Sequence, residues 1–342
     1  MKLKYLLTTF RLMKIPGIFS IMKDYKTFVR IHFLYAALES GLLEALQAPC
    51  SKEVLLDRLK IKRPEVLDAI LHVGLSIKEL SYKNGLYSIK GKRSKSVLGE
   101  KGDVLAAVVQ ALATYYNASY RNASDLMHGA SFLNDVGEFA PVIARFSKLV
   151  EPFIKDFIKD NVKGKASMRI LEIGCGSGLL LKSALEANPN ATGIGIDIDQ
   201  KVVEQAKSNL SRWGIDDKFR IIVGDIADSK TSIEGPFDLI TLYNVLYYFP
   251  VEERIRLFKK FRSLLSDDAT VSIVNTMKSY NMDYSSANLN LANTTLKGIT
   301  PLPDLDKTLV QLKESGLDPI STTNFIPGSS FYGIVAKAVS IE

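Results

Sequence analysis

From residue 168 onward, short apolar runs alternate with longer stretches whose apolar positions recur at helical spacing. The runs are "MRILEI", "ATGIGID", "FRIIVGD", "FDLITLY", "ATVSIVNT" and "SSFYGIVAKAV". Runs of this length, separated by helical patterns of ~10 to 15 residues, predict a parallel, doubly wound sheet. The final segments come without a long helix between them, which predicts an antiparallel strand at the sheet edge. The expected fold is α/β, with a doubly wound, mostly parallel seven-stranded sheet behind a mainly helical N-terminal domain.

That N-terminal domain is legible over residues 31 to 100. "FLYAALESGLLEAL" carries a continuous apolar face, "SKEVLLDRL" starts at Ser51 as an N-cap, and "RPEVLDAILHVGLSI" opens with Pro64 at a first turn. "LSYKNGLYSI" sets Asn84-Gly85 between two alternating runs, a strong hairpin signal. Three helices and a hairpin predict a winged helix. Residues 101 to 160 read as a mainly helical connection, and residues 161 to 342 as the α/β domain.

Charge and composition narrow the classes. At 46% hydrophobic and 24% charged, the chain has ample material for a buried core. No run approaches the ~18 to 20 uncharged apolar residues of a membrane span. Cys50 and Cys175 suggest neither a disulfide framework nor a zinc site, and three histidines argue against a multi-histidine metal centre. A reducing cytoplasm is the expected location. Of the net +7, a net +6 sits on residues 1 to 30, where seven basic residues stand against Asp24 alone. This arm also carries Leu3, Leu6, Leu7, Phe10 and Met13 at helical spacing. It reads either as a basic amphipathic helix for an anionic membrane surface or as a helix packed on the body or on a partner subunit.

A winged helix raises the question of DNA. The helix that would enter a groove carries Glu65, Asp68, Ile70, Leu71 and Val73, with Arg63 only at its start. Base readout needs Arg, Lys, Asn or Gln on that face. No specific nucleic-acid partner is therefore expected, which leaves only a non-specific contact through Lys90, Lys92, Arg93 and Lys95.

The chemistry concentrates in "RILEIGCGSG", where a strand runs into Gly174, Gly176 and Gly178. Glycine at this density marks a sharp turn or a ligand against the backbone at a helix N-terminus. No Gly-Lys-Ser/Thr follows, which excludes a triphosphate-binding P-loop. The dinucleotide fingerprint wants its third glycine five positions after the first, and Leu179 stands there. Downstream, "GIDID" places Asp197 23 residues after Gly174, suited to the ribose hydroxyls of an adenosine. "VGDIAD" puts Asp225 at the adjacent strand tip, suited to the adenine amine, with Ile198 and Ile226 placed to sandwich the ring.

On "LEIGCGSG", "GIDID" and "VGDI" the sequence resembles the class I S-adenosylmethionine-dependent methyltransferases. With the winged-helix segment in front, it is similar to their small-molecule O-methyltransferase group. That group includes plant phenol methyltransferases and bacterial antibiotic or carotenoid methyltransferases, and it dimerises through such a domain. The resemblance spans residues 30 to 340 or so. It implies S-adenosylmethionine as cofactor, with Glu172 and Gly174 bordering its methionine moiety and Gly176 permitting close approach. It further implies that Gly178 serves helix packing, Asp197 holds the ribose, Asp225 the adenine amine, and Asn244 faces the sulfonium end.

The family pattern is broken at one point. Where phenol methyltransferases carry a histidine base after the fourth strand, in an "LHDW"-like run, this chain reads "LYNVLYYFP" and places Tyr247. A phenol with a pKa near ~10 is a poor base at neutral pH. An in-line displacement from an activated donor draws much of its rate from alignment, so the missing base weakens only the O-specific assignment. His128 is the best remaining histidine, set against a surface or capping role; His32 and His72 read as packing or surface residues.

The acceptor pocket is expected from Tyr115, Tyr116, Tyr120 and Phe132, covered by the long polar segment "MKSYNMDYSSANLNLANTTLKGITPLP" as a lid or as a packed helix. The apolar helices over 31 to 47 and 64 to 80 exceed what one small domain can bury, which predicts a homodimer. The leading expectation is methyl transfer to a small aromatic or lipid-like acceptor. Two alternatives stand beside it: a nicotinamide-dependent oxidoreductase, opposed by the Gly178 spacing, and a ligand-sensing regulator, opposed by the lack of a basic recognition helix.

Overall fold

The computed structural model describes residues 13–228, 231–279 and 282–339. The first part of the basic arm, residues 1–12, lies outside them. Among the described residues two compact units emerge, one from residues 13–118 and 139–149, the other from residues 119–138 and 150–339.

In the first unit, helix α1 (Ile18–Glu39) runs without a break across residue 30, where charge alone had separated arm from domain. It stops because Gly41 sits at φ 72°, a left-handed backbone that suits a residue without Cβ, and the short α2 (Leu42–Ala45) follows. The apolar face over 33–46 is thus two helices rather than one. Helix α3 (Lys52–Arg58) is capped by Ser51, whose hydroxyl accepts from the Val54 N–H at 3.4 Å. Helix α4 (Pro64–Ser76) opens on Pro64.

Strands β1 (Leu80–Lys83) and β2 (Leu86–Ile89) pair around Asn84 and Gly85, both at positive φ, as a two-residue hairpin requires. Phe33, Leu34, Leu43, Leu55, Leu71 and Leu80 form the buried centre of this unit. Helices α5 (Lys92–Ser96) and α6 (Gly102–Ala111) follow, and a π-helical turn, Leu112–Tyr116, leads into α7 (Asn117–Met127). Helix α8 (Ala140–Ser147) is tied to α6 by Arg145, which donates to Asp103 at 2.6 Å and Gln110 at 2.7 Å.

The second unit is a seven-stranded sheet in the order β5-β4-β3-β6-β7-β9-β8. Helix α9 (Glu151–Val162) precedes β3 (Met168–Ile173), α10 (Leu179–Ala187), β4 (Ala191–Asp197), α11 (Gln200–Trp213) and β5 (Phe219–Val223). The chain then crosses to β6 (Phe237–Tyr243), α12 (Arg254–Leu264) and β7 (Leu265–Thr276). Beyond them come α13 (Tyr284–Thr295), α14 (Leu305–Glu314), β8 (Leu317–Asn324) and β9 (Phe331–Ala338). Strands β3 to β7 are parallel, while β9 pairs antiparallel with both β7 and β8. The run "SSFYGIVAKAV" therefore lies inside the sheet, and the edge strand is β8, which no apolar pattern announces. Apolar clusters cover both faces of the sheet. Because β3 neighbours β4 on one side and β6 on the other, the strand order reverses there, and the crevice at the carboxyl ends opens beside β3.

Candidate functional site

Four strands deliver the predicted site residues to the same edge. Strand β3 ends at Ile173 and turns through Gly174, Cys175, Gly176, Ser177 and Gly178 into α10, with the three glycines at φ 66°, 51° and 77°. Each would strain an ordinary residue, but for different surroundings. A Cβ on Gly174 would stand 2.6 Å from the Val245 side chain on the neighbouring loop. One on Gly178 would meet Leu210 of α11 at 2.6 Å, so this glycine serves helix packing. A Cβ on Gly176 would meet no atom within 4 Å. The middle of the loop is thus the part whose backbone faces open space.

Asp197 ends β4 and is tied to that loop. Its Oδ2 accepts from the Gly176 N–H at 3.0 Å and its Oδ1 from the Asp199 N–H at 3.2 Å. Ile198, the next residue, is 71% exposed. Asp225 follows β5, half-buried, with Oδ1 accepting from the Ala227 N–H at 2.8 Å. Its neighbour Ile226 is buried within the core beside Leu246 and Phe249, so the two isoleucines meet different surroundings, one solvent and one core. Asn244 leaves β6 at φ 56°, in the left-handed region that asparagine tolerates, and its N–H donates to the Val274 carbonyl at 2.7 Å.

Glu172 lies deeper, one residue before the end of β3. It is buried, and its Oε2 has no hydrogen-bond partner. Burial first, and then the charge of Asp197, hold its carboxyl well above the ordinary carboxylate range. Its register neighbour on β6, Thr241, is equally buried, and its hydroxyl is also without a partner. Burial, followed by the charges of Glu172 and Asp197, likewise pushes the Cys175 thiol up, which makes it an inert structural thiol.

The loop after β6 carries Tyr247, half-buried and with its ring 5.0 Å from that of Tyr248. Its carbonyl accepts from the N–H of Thr300 at 2.9 Å and from the Thr300 hydroxyl at 2.7 Å. Arg254, buried at the start of α12, donates to the Phe249 carbonyl and to the Thr300 hydroxyl. Asn275 supports the same loop, its Oδ1 accepting from the Leu246 N–H at 3.3 Å. Thr241, Val245, Arg254 and Asn275 escaped sequence reasoning. Thr241 and Asn275 carry one signal, polarity inside an apolar strand, as in the asparagine of "VSIVNT"; Val245 and Arg254 carry none.

The remaining predicted residues lie on other elements. His128 is exposed beyond the end of α7, and its Nδ1–H donates to the Ser124 carbonyl at 2.7 Å. Tyr115 and Tyr116 are buried in the helical unit, where Tyr115 packs on Phe139 and Tyr116 on Phe146. Burial pushes the Tyr116 hydroxyl up to about 12. Tyr120 and Phe132 belong to the other unit and are exposed. A cavity of about 490 Å³ lined by Phe153, Phe157, Asp160, Ile320 and Phe325 shares no residue with the carboxyl-edge site.

The loop fits an adenosyl sulfonium cofactor. It offers open backbone at Gly176, a carboxylate at the next strand end, and a buried acid oxygen without a partner. Residues 171–271 match the family described as methyltransferase domain. Ubiquinone biosynthesis O-methyltransferase of Actinobacillus pleuropneumoniae serotype 7 is 25% identical over 156 residues, 44% of this chain and 63% of that protein. The match thus spans less than two thirds of that relative's length. The structure of the mitomycin 7-O-methyltransferase MmcR superposes with a TM-score of 0.78 at 15% identity, covering 97% of this chain and 100% of that one. PigF, solved with SAH, gives 0.75 at 16% identity, covering 94% and 99%. Over residues 171–271 the chain thus matches a methyltransferase domain, and it shares the fold of these solved methyltransferases, a Rossmann-like core with a helical domain ahead of it in the sequence.

Proposed function

We propose that this chain transfers a methyl group from S-adenosylmethionine to a small aromatic or lipid-like acceptor, with oxygen the favoured acceptor atom. The carrying observation is the open backbone of Gly176 tied to the Asp197 carboxylate at one sheet edge. The cofactor, when bound, supplies an activated methyl group on a sulfonium. The chain's own residues orient and enclose it. Gly174, Gly176 and Glu172 border the methionine moiety, Asp197 holds the ribose, Asp225 the adenine amine, Ile198 a ring face, and Asn244 the reacting end. Ile226 backs the adenine position from the core.

Tyr247 is the group we place at the acceptor, since its loop leaves β6 beside Asn244 and is braced by Thr300 and Arg254. The braced loop contributes alignment, and an acceptor that ionises readily needs no stronger base. His128 has its Nδ1–H committed to a helix carbonyl and serves as a C-terminal cap. We assign Tyr116 to the core of the helical unit, and Tyr120 and Phe132 to acceptor contact from exposed positions.

We further propose a homodimer formed through the helical unit, whose α1 exposes Phe19, Ile21, Met22, Tyr25 and Phe28. An anionic membrane surface is the competing use of the arm; the cytoplasmic location proposed from the two free cysteines then becomes membrane-peripheral. Among the described residues no helix is long and apolar enough to cross a membrane.

Incubation with methyl-labelled S-adenosylmethionine and a lysate of the source organism tests the activity. A labelled small molecule that disappears with Asp197→Ala is expected. Label in protein or nucleic acid alone overturns the small-molecule acceptor.

A further inference from the structure

Glu172 and Thr241 sit side by side on β3 and β6, in register, each buried and each with an oxygen lacking a partner. Register neighbours on parallel strands lie ~4.8 Å apart and point to the same face. Two such orphans in contact range, at the root of a cofactor loop, call for a common explanation.

We propose that the site takes its cofactor by exchanging a proton for a cation: Glu172 keeps its carboxyl proton in the free protein and releases it to solvent when the cationic methionine end seats at the glycine loop, and the Thr241 hydroxyl then donates to the ionised carboxylate. This rests on the reading of the loop as an S-adenosylmethionine site.

The surroundings of Glu172 carry the argument. The titratable groups that interact with it are Asp197 from β4, Cys175 from the loop and Tyr243 from β6. Tyr248, from the loop after β6, feels the charge of Asp197 rather than that of Glu172. Helix α10 contributes the backbone of Leu181; Ser272 of β7, in register with Thr241, is engaged by Tyr243 and by the neutral Asn161 of α9. None of these groups is a cation. A buried carboxyl beside another acid, with no positive charge at hand, is stable only when neutral. A ligand ammonium or sulfonium supplies the missing charge and reverses that preference. The linkage sign follows directly. The free state binds the proton and the complex does not, so affinity rises with pH while the free carboxyl is protonated, by about tenfold per pH unit at most, and levels off once it is ionised.

Calorimetry of the full chain in buffers of different ionisation enthalpy counts the protons. Titration with S-adenosylmethionine or S-adenosylhomocysteine, both bearing the ammonium group, is expected to release a fraction of a proton approaching one as pH falls. Neutral 5′-methylthioadenosine, which keeps the nucleoside, is expected to release none. Thr241→Val should move the release window to higher pH and leave 5′-methylthioadenosine affinity unchanged, and Glu172→Gln should abolish the release while cofactor still binds. Cofactor binding whose heat is independent of buffer overturns the proposal, as does release that persists in Glu172→Gln. An unmoved window in Thr241→Val removes the hydroxyl from it. Absence of binding by any of the ligands defeats the underlying cofactor reading instead, so the two failures are distinct.

Discussion

At the scale of single residues, the glycine loop separates two uses of the same amino acid. Gly174 is enclosed by Val245, whereas Gly176 faces open space beside Asp197. Gly174→Val should therefore lower Tm and binding together. Gly176→Ala should cost the fold only the left-handed backbone penalty of ~1 to 2 kcal/mol yet remove most cofactor binding, a contrast that thermal melts and calorimetry read directly. Asp197→Ala removes a carboxylate that holds the loop N–H of Gly176. It should weaken S-adenosylmethionine binding by ~1.5 to 3 kcal/mol, the range for a lost charged hydrogen bond. Unchanged affinity in the folded Asp197→Ala and Gly176→Ala variants would remove the cofactor from this edge. The sequence shows these residues because their chemistry is local: glycines after a strand, acids at the next two strand ends. Thr241 and Asn275 show in it only as polar residues inside apolar strands, because their importance comes from neighbours across the sheet.

At the scale of elements, legibility follows the strength of the local pattern. The five parallel strands and the Asn84-Gly85 hairpin are announced by apolar runs and turn chemistry. Strand β8 is not, since Pro319 interrupts it, the register shifts beside it, and most of its side chains face solvent, as suits a sheet edge. Helix α13 is equally faint, an Asn-rich stretch with few apolar positions, in the segment read as either a lid or a packed helix. What fixes it is Asp283. One carboxylate accepts from the N–H groups of Ser285 and Ser286 at the helix start, from the Ser286 hydroxyl at 2.6 Å, and from the Ser330 N–H at 2.9 Å beside β9. Desolvation opposes ionisation, but these hydrogen bonds outweigh it and hold the carboxyl below its usual range. A lowered folded-state pKa contributes stability above the ordinary carboxylate range and loses it as pH falls through the folded value. Asp283→Ala should thus cost ~1 to 2 kcal/mol at neutral pH, and its Tm should converge with that of the parent chain in acid. Parallel Tm curves across that range would deny the cap its charge.

At the scale of the whole molecule, the question is what covers the first half of α1. Phe19, Ile21, Met22, Tyr25 and Phe28 are each more than half exposed, five large apolar side chains within ten residues of one helix. A stripe of this size on a folded unit marks an interface. A two-fold dimer covers both copies at once, because the same surface meets itself. Lys14, Lys23 and Lys26 flank the stripe and fit an anionic bilayer as well, so salt is the discriminating variable. Contact with lipid headgroups draws ~1 kcal/mol from each basic residue near the surface and weakens steeply as ionic strength rises. Apolar dimerisation does not weaken with salt. Light scattering at micromolar protein is expected to give about twice the 37.9 kDa chain at both low and high salt, and Phe19→Glu with Tyr25→Glu should halve it while cofactor affinity stays intact. A monomer that sediments with anionic vesicles only at low salt would instead assign the stripe to the membrane, and the lipid-like acceptor would then gain its physical route to the site.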